Sequence, residues 1–305
     1  MNKLVVSVSP HLREKTDTTS IMRDVLIALA PALVAAFLIF GVRALLVVAV
    51  CVAASILSEW LFEKITKKPN TVGDLSACVT GVLLAFNLPV DIPIWQAILG
   101  SAIAIVVVKQ LFGGIGQNFA NPAITARIIM LLAFSGTMTS WTFPDAVSSA
   151  TPLAIISGQA TGELPALSQM LLGVRGGCLG ETSAIALLAG GIYLLVRRVI
   201  SWHTPVAFIG TVFVFTLLLG EQPVYQLLSG GLMLGAFFMA TDYATTPSTN
   251  SGRLIFGVGC GLITVLIRVW GSYPEGVSFS ILLMNILTPH ISNWTRTKPL
   301  GGVEA

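Results

Sequence analysis

Charge is what this 305-residue sequence lacks: Asp, Glu, Lys and Arg make up only 10% of it, against roughly 25% in soluble domains. With a mean hydropathy of +0.86, a soluble globule, a disordered chain and a secreted disulfide scaffold are excluded together. The 17 basic and 14 acidic residues are too nearly balanced to point to a nucleic-acid partner. Cysteine is scarce as well. Cys51, Cys78, Cys178 and Cys260 lie far apart without CxxC spacing, so they read as small core residues and define neither a metal site nor a disulfide framework. The three histidines, His11, His203 and His290, are dispersed, and no catalytic triad or dyad is visible.

What is present is long apolar runs. A span needs about 20 apolar residues, and such stretches cover approximately 24–40, 43–62, 75–90, 92–108, 120–135, 181–199, 205–220, 224–241, 253–270 and 276–291. The expectation is an all-α integral membrane protein of about ten helices. Segments 75–90 and 120–135 are short and bounded by Pro or Gly, which suits half-helices lining a protein interior. The first run follows a polar, basic segment and is read as a retained span. Five sections follow: an N-terminal segment 1–23, helices one to five over 24–134, a loop over 135–180, helices six to ten over 181–291 and a tail over 292–305.

Placing the N-terminus in the cytoplasm sends the clusters around Lys64, Lys67 and Lys68, around Arg197 and Arg198, and most other cations to that side. Only Arg43, Arg175 and Arg268 then fall outside. Both termini are expected in the cytoplasm and the 135–180 loop outside; loops of that length are usually functional. Two five-helix halves are necessarily inverted, because five is odd. A short echo, Gly73-Asp74-Leu75-Ser76-Ala77 against Gly180-Glu181-Thr182-Ser183-Ala184, pairs segments three and six, where a true repeat pairs three and eight. The six tryptophans fall near expected interfaces, as in a membrane belt.

Within the outer loop, Asp145-Ala146-Val147-Ser148-Ser149-Ala150-Thr151-Pro152 has two readings. Ser, Thr and Pro make ordinary turns. Equally, Pro152 biases Thr151 toward an extended backbone, and its small neighbours leave the hydroxyl open to a modifying enzyme. Gly113-Gly114-Ile115-Gly116-Gln117-Asn118 is no phosphate loop, since no Lys-Ser or Lys-Thr follows. It is either a plain turn or a place of close backbone approach to a ligand, with Asn118 and Asn121 offering amides. Asn121-Pro122 is expected to begin a helix. The acids Asp74, Glu181, Asp242 and Glu275 sit at segment rims, where hydration is the ordinary state, and Arg127 lies inside a segment, where a charge is expensive. Asp242, flanked by Thr241 and Thr245-Thr246-Pro247, is the first candidate for ion coupling, with Asp74 the second.

Asp-x-x-Ser-x-Ala-Thr over Asp145, Ser148, Ala150 and Thr151 resembles the acceptor motif of flavin transferases. Its surroundings resemble the family that holds the D subunit of the Rnf electron-transport complex and the B subunit of the sodium-translocating NADH:quinone reductase. Ser9-Pro10-His11, the run Gly81 to Pro89, Phe112 to Asn118 into Asn121-Pro122-Ala123, Ala240-Thr241-Asp242, Tyr273 to Val277 and Met284-Asn285 carry the likeness over nearly the whole chain. The length favours the Rnf branch of the family.

The resemblance implies FMN esterified to Thr151 on the outer side and a second, non-covalent riboflavin. It further implies partnership with the membrane-embedded A and E subunits, the flavin-bearing G subunit and the peripheral B and C subunits of the Rnf complex, and with a flavin transferase, in a bacterial inner membrane. The activity implied is electron transfer between ferredoxin and NAD coupled to Na+ or H+ movement. Asn118, Asn121 and Arg127 are the candidate flavin contacts. The competing reading is a small-solute channel or transporter of urea-channel-like architecture; an integral-membrane transferase lacks an acid–base constellation.

Overall fold

The computed structural model describes residues 17–141, 151–158, 164–173, 176–181, 183–271 and 276–296. Among these the regular structure is helical. Helix α1 is Thr18–Phe40 and α2 is Val42–Thr66. Asp17 caps α1 by accepting from the Ser20 N–H at 2.7 Å. The pair is joined by Gly41 alone, whose φ of 70° is a conformation that glycine adopts without cost. After a turn over Val72–Asp74 come α3 (Ser76–Phe86), α4 (Ile94–Gln110), α5 (Pro122–Ala133) and the short α6 (Ser135–Met138).

The connection that follows carries α7 (Pro152–Ile156) and α8 (Leu167–Leu172). The second half is α9 (Ala184–Val196), α10 (His203–Leu218), α11 (Pro223–Leu228), α12 (Leu232–Leu234, wound on as a wider turn over Gly235–Met239), α13 (Asn250–Trp270) and α14 (Val277–Trp294).

Three of these helices, α1, α2 and α13, are individually long and apolar enough to cross a bilayer, and α3, α4, α5, α9 and α10 are shorter apolar helices. Side-chain bonds fix their directions. Arg197 at the end of α9 pairs with Asp24 near the start of α1 at 3.0 Å. Glu59 near the end of α2 meets Lys109 at the end of α4. Thr249, capping α13, bonds Thr295 beyond α14 at 2.6 Å. The described chain therefore begins and ends at one end of the bundle. That end also carries Arg23, Lys64, Lys67, Lys68, Lys109, Arg197, Arg198, Arg253 and Arg296, while Arg43 and Arg268 lie at the other.

Each half holds a broken third pass. In the first, α3 stops at Phe86 and the chain continues non-helically to Pro93; in the second, α11 and α12 are separated by Ser229, Gly230 and Gly231. The run expected as one helix over 224–241 is thus split, with Gly230 and Gly231 at φ 64° and 65°. The Gly180 pentad lies at the start of the sixth pass, so the two echoed pentads do not occupy equivalent places.

Broken passes leave backbone groups in the interior, and there they must find protein partners. Leu179 donates its N–H to the Leu88 carbonyl at 3.1 Å and Gly180 to that of Phe86 at 2.9 Å. Two irregular segments that lie far apart in the chain thereby satisfy one another. Phe86, Leu88 and Leu179 are fully buried around this crossing.

Candidate functional site

The interior crossing explains the buried Arg127. Its Nε donates to the Asn87 carbonyl at 3.2 Å, the group that the end of α3 leaves unpaired, and Nη1 donates to Ser278 Oγ at 2.5 Å. Cys178 donates to the same carbonyl at 3.3 Å, and Glu181 stands 3.7 Å from Nη2. Glu181, expected as a hydrated rim acid, is buried beside this guanidinium. The cost of an isolated interior charge is met here by a countercharge and a carbonyl.

A second polar centre lies near the cationic end, around the start of α3. Lys109 Nζ donates to Glu59 Oε1 at 2.6 Å and to Ser76 Oγ at 2.5 Å. Ser76 in turn donates to Asp74 Oδ1 at 2.5 Å from both its hydroxyl and, at 2.7 Å, its N–H. Gln110 Nε2 adds a bond to Glu59 Oε1 at 2.7 Å, and Thr71 binds Glu63 through its hydroxyl and N–H. Glu59 lies inside α2 and is fully buried, as Lys109 nearly is.

Ser76 and Lys109 also line a cavity of about 110 Å³ where the two halves meet. Its polar wall is completed by Thr80, Asn118, Asn121, Thr241, Asp242 and Tyr243, and its apolar wall includes Met22, Leu83, Leu194, Phe237 and Phe238. Asn121 caps α5 by accepting from the Ala123 and Ile124 N–H groups at 3.1 and 3.3 Å, with Pro122 in the first turn, as expected. Its own N–H is taken by the Asn285 amide at 3.1 Å, and that amide also donates to the Thr245 carbonyl at 3.1 Å.

Asp242 lies in the connection between α12 and α13. Its carboxylate accepts from Thr245 Oγ1 at 3.1 Å and from the Ala244 N–H at 3.5 Å. Burial pushes its pKa above the ordinary carboxylate value, while the bonds from Thr245, Ala244 and Asn118 pull it back. Asn118, Asn121 and Asp242 therefore share one cavity, with Asp74 one hydroxyl away through Ser76. Arg127 is held at the interior crossing.

Thr151 is at the opposite end. It caps α7, its Oγ1 accepting from the Ala154 N–H at 3.3 Å. Pro152 and Leu153 are buried beneath it, and Leu153 packs against Gly230, where an added Cβ would stand 2.3 Å from Leu153 Cδ1. Arg268 braces the same turn by donating to the Gln226 and Ser229 carbonyls at 2.5 and 2.9 Å. The half-buried threonine thus sits on a short helix docked to the bundle. Asp145, Ser148 and Ala150 lie outside the described residues, as do Ser9 to His11, Arg175 and Tyr273 to Glu275.

A sequence model of the NQR2, RnfD, RnfE family matches residues 5–301. The chain belongs to that family. Among its relatives it is 51% identical to the D subunit of the Na(+)-translocating ferredoxin:NAD(+) oxidoreductase complex of Acetobacterium woodii, over 98% of this chain and 95% of that protein. It is 42% identical to the D subunit of the proton-translocating ferredoxin:NAD(+) oxidoreductase complex of Clostridium ljungdahlii, over 98% and 97%. It is 36% identical to the D subunit of the ion-translocating oxidoreductase complex of Ectopseudomonas mendocina, over 96% and 94%. Family membership and the helical architecture together make this a multi-pass membrane protein.

Sequence reasoning missed Glu59 and Lys109. The signal available was an acid, Glu59, within the stretch 43–62 expected as a span, but its lysine partner is fifty positions away.

Proposed function

We propose that this chain is the membrane electron-transfer subunit of an ion-translocating ferredoxin:NAD oxidoreductase complex, carrying FMN as a phosphoester on Thr151 and taking part in Na+ or H+ movement. What carries this reading is the near-complete alignment with the D subunits of such complexes, together with a threonine hydroxyl fixed at the start of a docked helix within the acceptor motif. The residues fit the group. Thr151 Oγ1 is constrained by one backbone bond, and esterification consumes only its proton, FAD supplying the flavin phosphate and AMP leaving. When bound, the flavin supplies exchange of one or two electrons.

This chain's own residues supply position. Leu153 and Gly230 dock the tether, and Arg268 braces the turn against which it lies. The cations gathered at the end opposite Thr151 support a cytoplasmic position for both termini and an extracytoplasmic flavin in a bacterial inner membrane. The A, E, G, B and C subunits as partners, a flavin transferase, and a second, non-covalent riboflavin belong to the same proposal. Asp242 is its ion-coupling acid: raised by burial and bonded by the Thr245 hydroxyl, it suits proton or cation exchange. The relatives' names divide between Na(+) and proton, so both ions stay within the proposal. A solute channel is disfavoured, since Phe86, Leu88, Leu179 and the Arg127 node fill the centre.

The test is direct. Co-expressed with a flavin transferase, the chain is expected to fluoresce yellow-green in a denaturing gel under ultraviolet light, with an FMN-sized mass increment on the peptide containing Thr151, and Thr151→Ala is expected to lose both. A dark wild-type band overturns the reading. Replacing Asp242 with Asn is expected to lower ion transport more than electron flux; unchanged transport removes it from coupling.

A further inference from the structure

A second concavity adjoins the cavity just described, sharing Val199, Ile200, Thr241 and Tyr243 with it, and opens at the cationic end between the α9–α10 turn, the connection after α12 and the start of α13. It encloses about 620 Å³. Two of its lining residues are arginines, Arg198 and Arg253, and no acid is among them. Ser201, Thr204 and Thr246 add hydroxyls. Among the described residues neither arginine is in an ion pair. Arg253 is engaged by one bond, Nε to the Pro247 carbonyl at 3.2 Å. Arg198 is exposed, on a left-handed backbone at φ 57°. The neighbouring Arg197 is spent on Asp24, and the nearest acid in sequence to the groove's lining, Asp242, lines the adjoining cavity.

The rim has the character of a bilayer interface. Trp202 and Tyr243 are each 55% exposed. Trp202 stacks on His203 with ring centres 4.1 Å apart, and the Tyr243 hydroxyl donates to the Val199 carbonyl, so both rings are held. Below the rim, α9 exposes Ile192 and Val196 and α10 exposes Val206, apolar surface that runs away from the arginines. Cationic groups over hydroxyls, aromatic rings at the edge and an apolar flank match the parts of an anionic phospholipid in order: phosphate, glycerol backbone and acyl chains.

We propose that this groove binds the headgroup of an anionic phospholipid, its phosphodiester held between Arg198 and Arg253. The site is independent of the redox reading of Thr151. Each arginine near a charged bilayer surface contributes about 1 kcal/mol, so losing one weakens binding about fivefold and losing both about thirtyfold.

The experiment uses the intact chain purified in detergent, stripped of lipid and titrated with phosphatidylglycerol, phosphatidylcholine or glycerol 3-phosphate, with bound lipid counted by native mass spectrometry. Wild type is expected to retain one phosphatidylglycerol selectively over phosphatidylcholine. Arg198→Gln/Arg253→Gln is expected to lose it, and Arg296→Gln, at the same end outside the groove, to keep it. Should the double variant fold poorly through loss of the Pro247 bond, Arg198→Gln alone is expected to show the fivefold loss. Retention by the double variant, or equal retention of phosphatidylcholine, overturns the proposal. Displacement by glycerol 3-phosphate at the lipid's own potency overturns it in favour of a soluble phosphate. Absence of selective lipid, with the arginine variants releasing partner subunits from the assembled complex, overturns it in favour of an acidic protein surface.

Discussion

Replacing Lys109 with Met tests whether the buried polar centre at the start of α3 is balanced as a unit. Met keeps the unbranched shape and nearly the length of the side chain while removing the ammonium. In the native arrangement that ammonium is 2.6 Å from Glu59 Oε1, and Glu59 is fully buried. Its other oxygen, Oε2, has no hydrogen-bond partner among the described residues, so the carboxylate's charge is met at one atom. After the substitution only Gln110, at 2.7 Å, and a long contact from Thr71, at 3.5 Å, face that atom. Breaking a buried pair by removing one partner costs about 3–5 kcal/mol, whereas removing both charges is nearly neutral.

Lys109→Met is therefore expected to be severely destabilised, and Lys109→Met/Glu59→Gln to recover most of the loss, with a coupling of about 2–3 kcal/mol in the double-mutant cycle. Denaturation of the purified chain in mixed micelles, followed by tryptophan fluorescence, measures it. A double variant no more stable than Lys109→Met refutes the reasoning, because the two charges then do not compensate one another.

The remaining predictions concern pH and close packing. The pKa of Asp242 is raised above 3.8 in the folded chain, so the protonated carboxyl favours folding at low pH and that contribution is lost as pH rises through the raised value. Thermal unfolding of wild type and Asp242→Asn across this window is expected to show wild type losing ground to the variant as pH climbs; a pH-independent gap contradicts it. An alanine at Gly190 places Cβ 2.1 Å from the Ala28 carbonyl oxygen on α1, which is backbone and cannot turn aside. Gly190→Ala is expected to cost about 1–3 kcal/mol or more by forcing α1 from α9. Gly210→Ala, with nothing within 4 Å of the added carbon, is the control and is expected to be neutral or up to about 1 kcal/mol stabilising. Equal unfolding midpoints for the two variants sink this account of the interface.

Part of this was legible without coordinates. A window of apolar residues answers to a bilayer whatever its neighbours do, so the passes, the short third and fifth segments and the cationic end follow from local composition. The Asn121-Pro122 helix start is equally local, since the cap and the N–H groups it satisfies are within three residues. The Thr151 motif is visible because its residues are contiguous, although the docking of its helix through Leu153 onto Gly230 is not.

Tertiary structure alone decided the rest, and the physical reason is common to all of it. In a low-dielectric interior a stranded polar group is costly unless it meets a partner, and the partner is chosen by proximity in space. Phe86 and Leu88 find Gly180 and Leu179, the Asn87 carbonyl finds Arg127, and Glu59 finds Lys109, each across some forty to ninety positions of chain. Composition determined that this chain enters a membrane and which of its ends bears the positive charge. Which buried charge answers which, and where the cavity and the groove lie, depended on how segments far apart in the sequence came together.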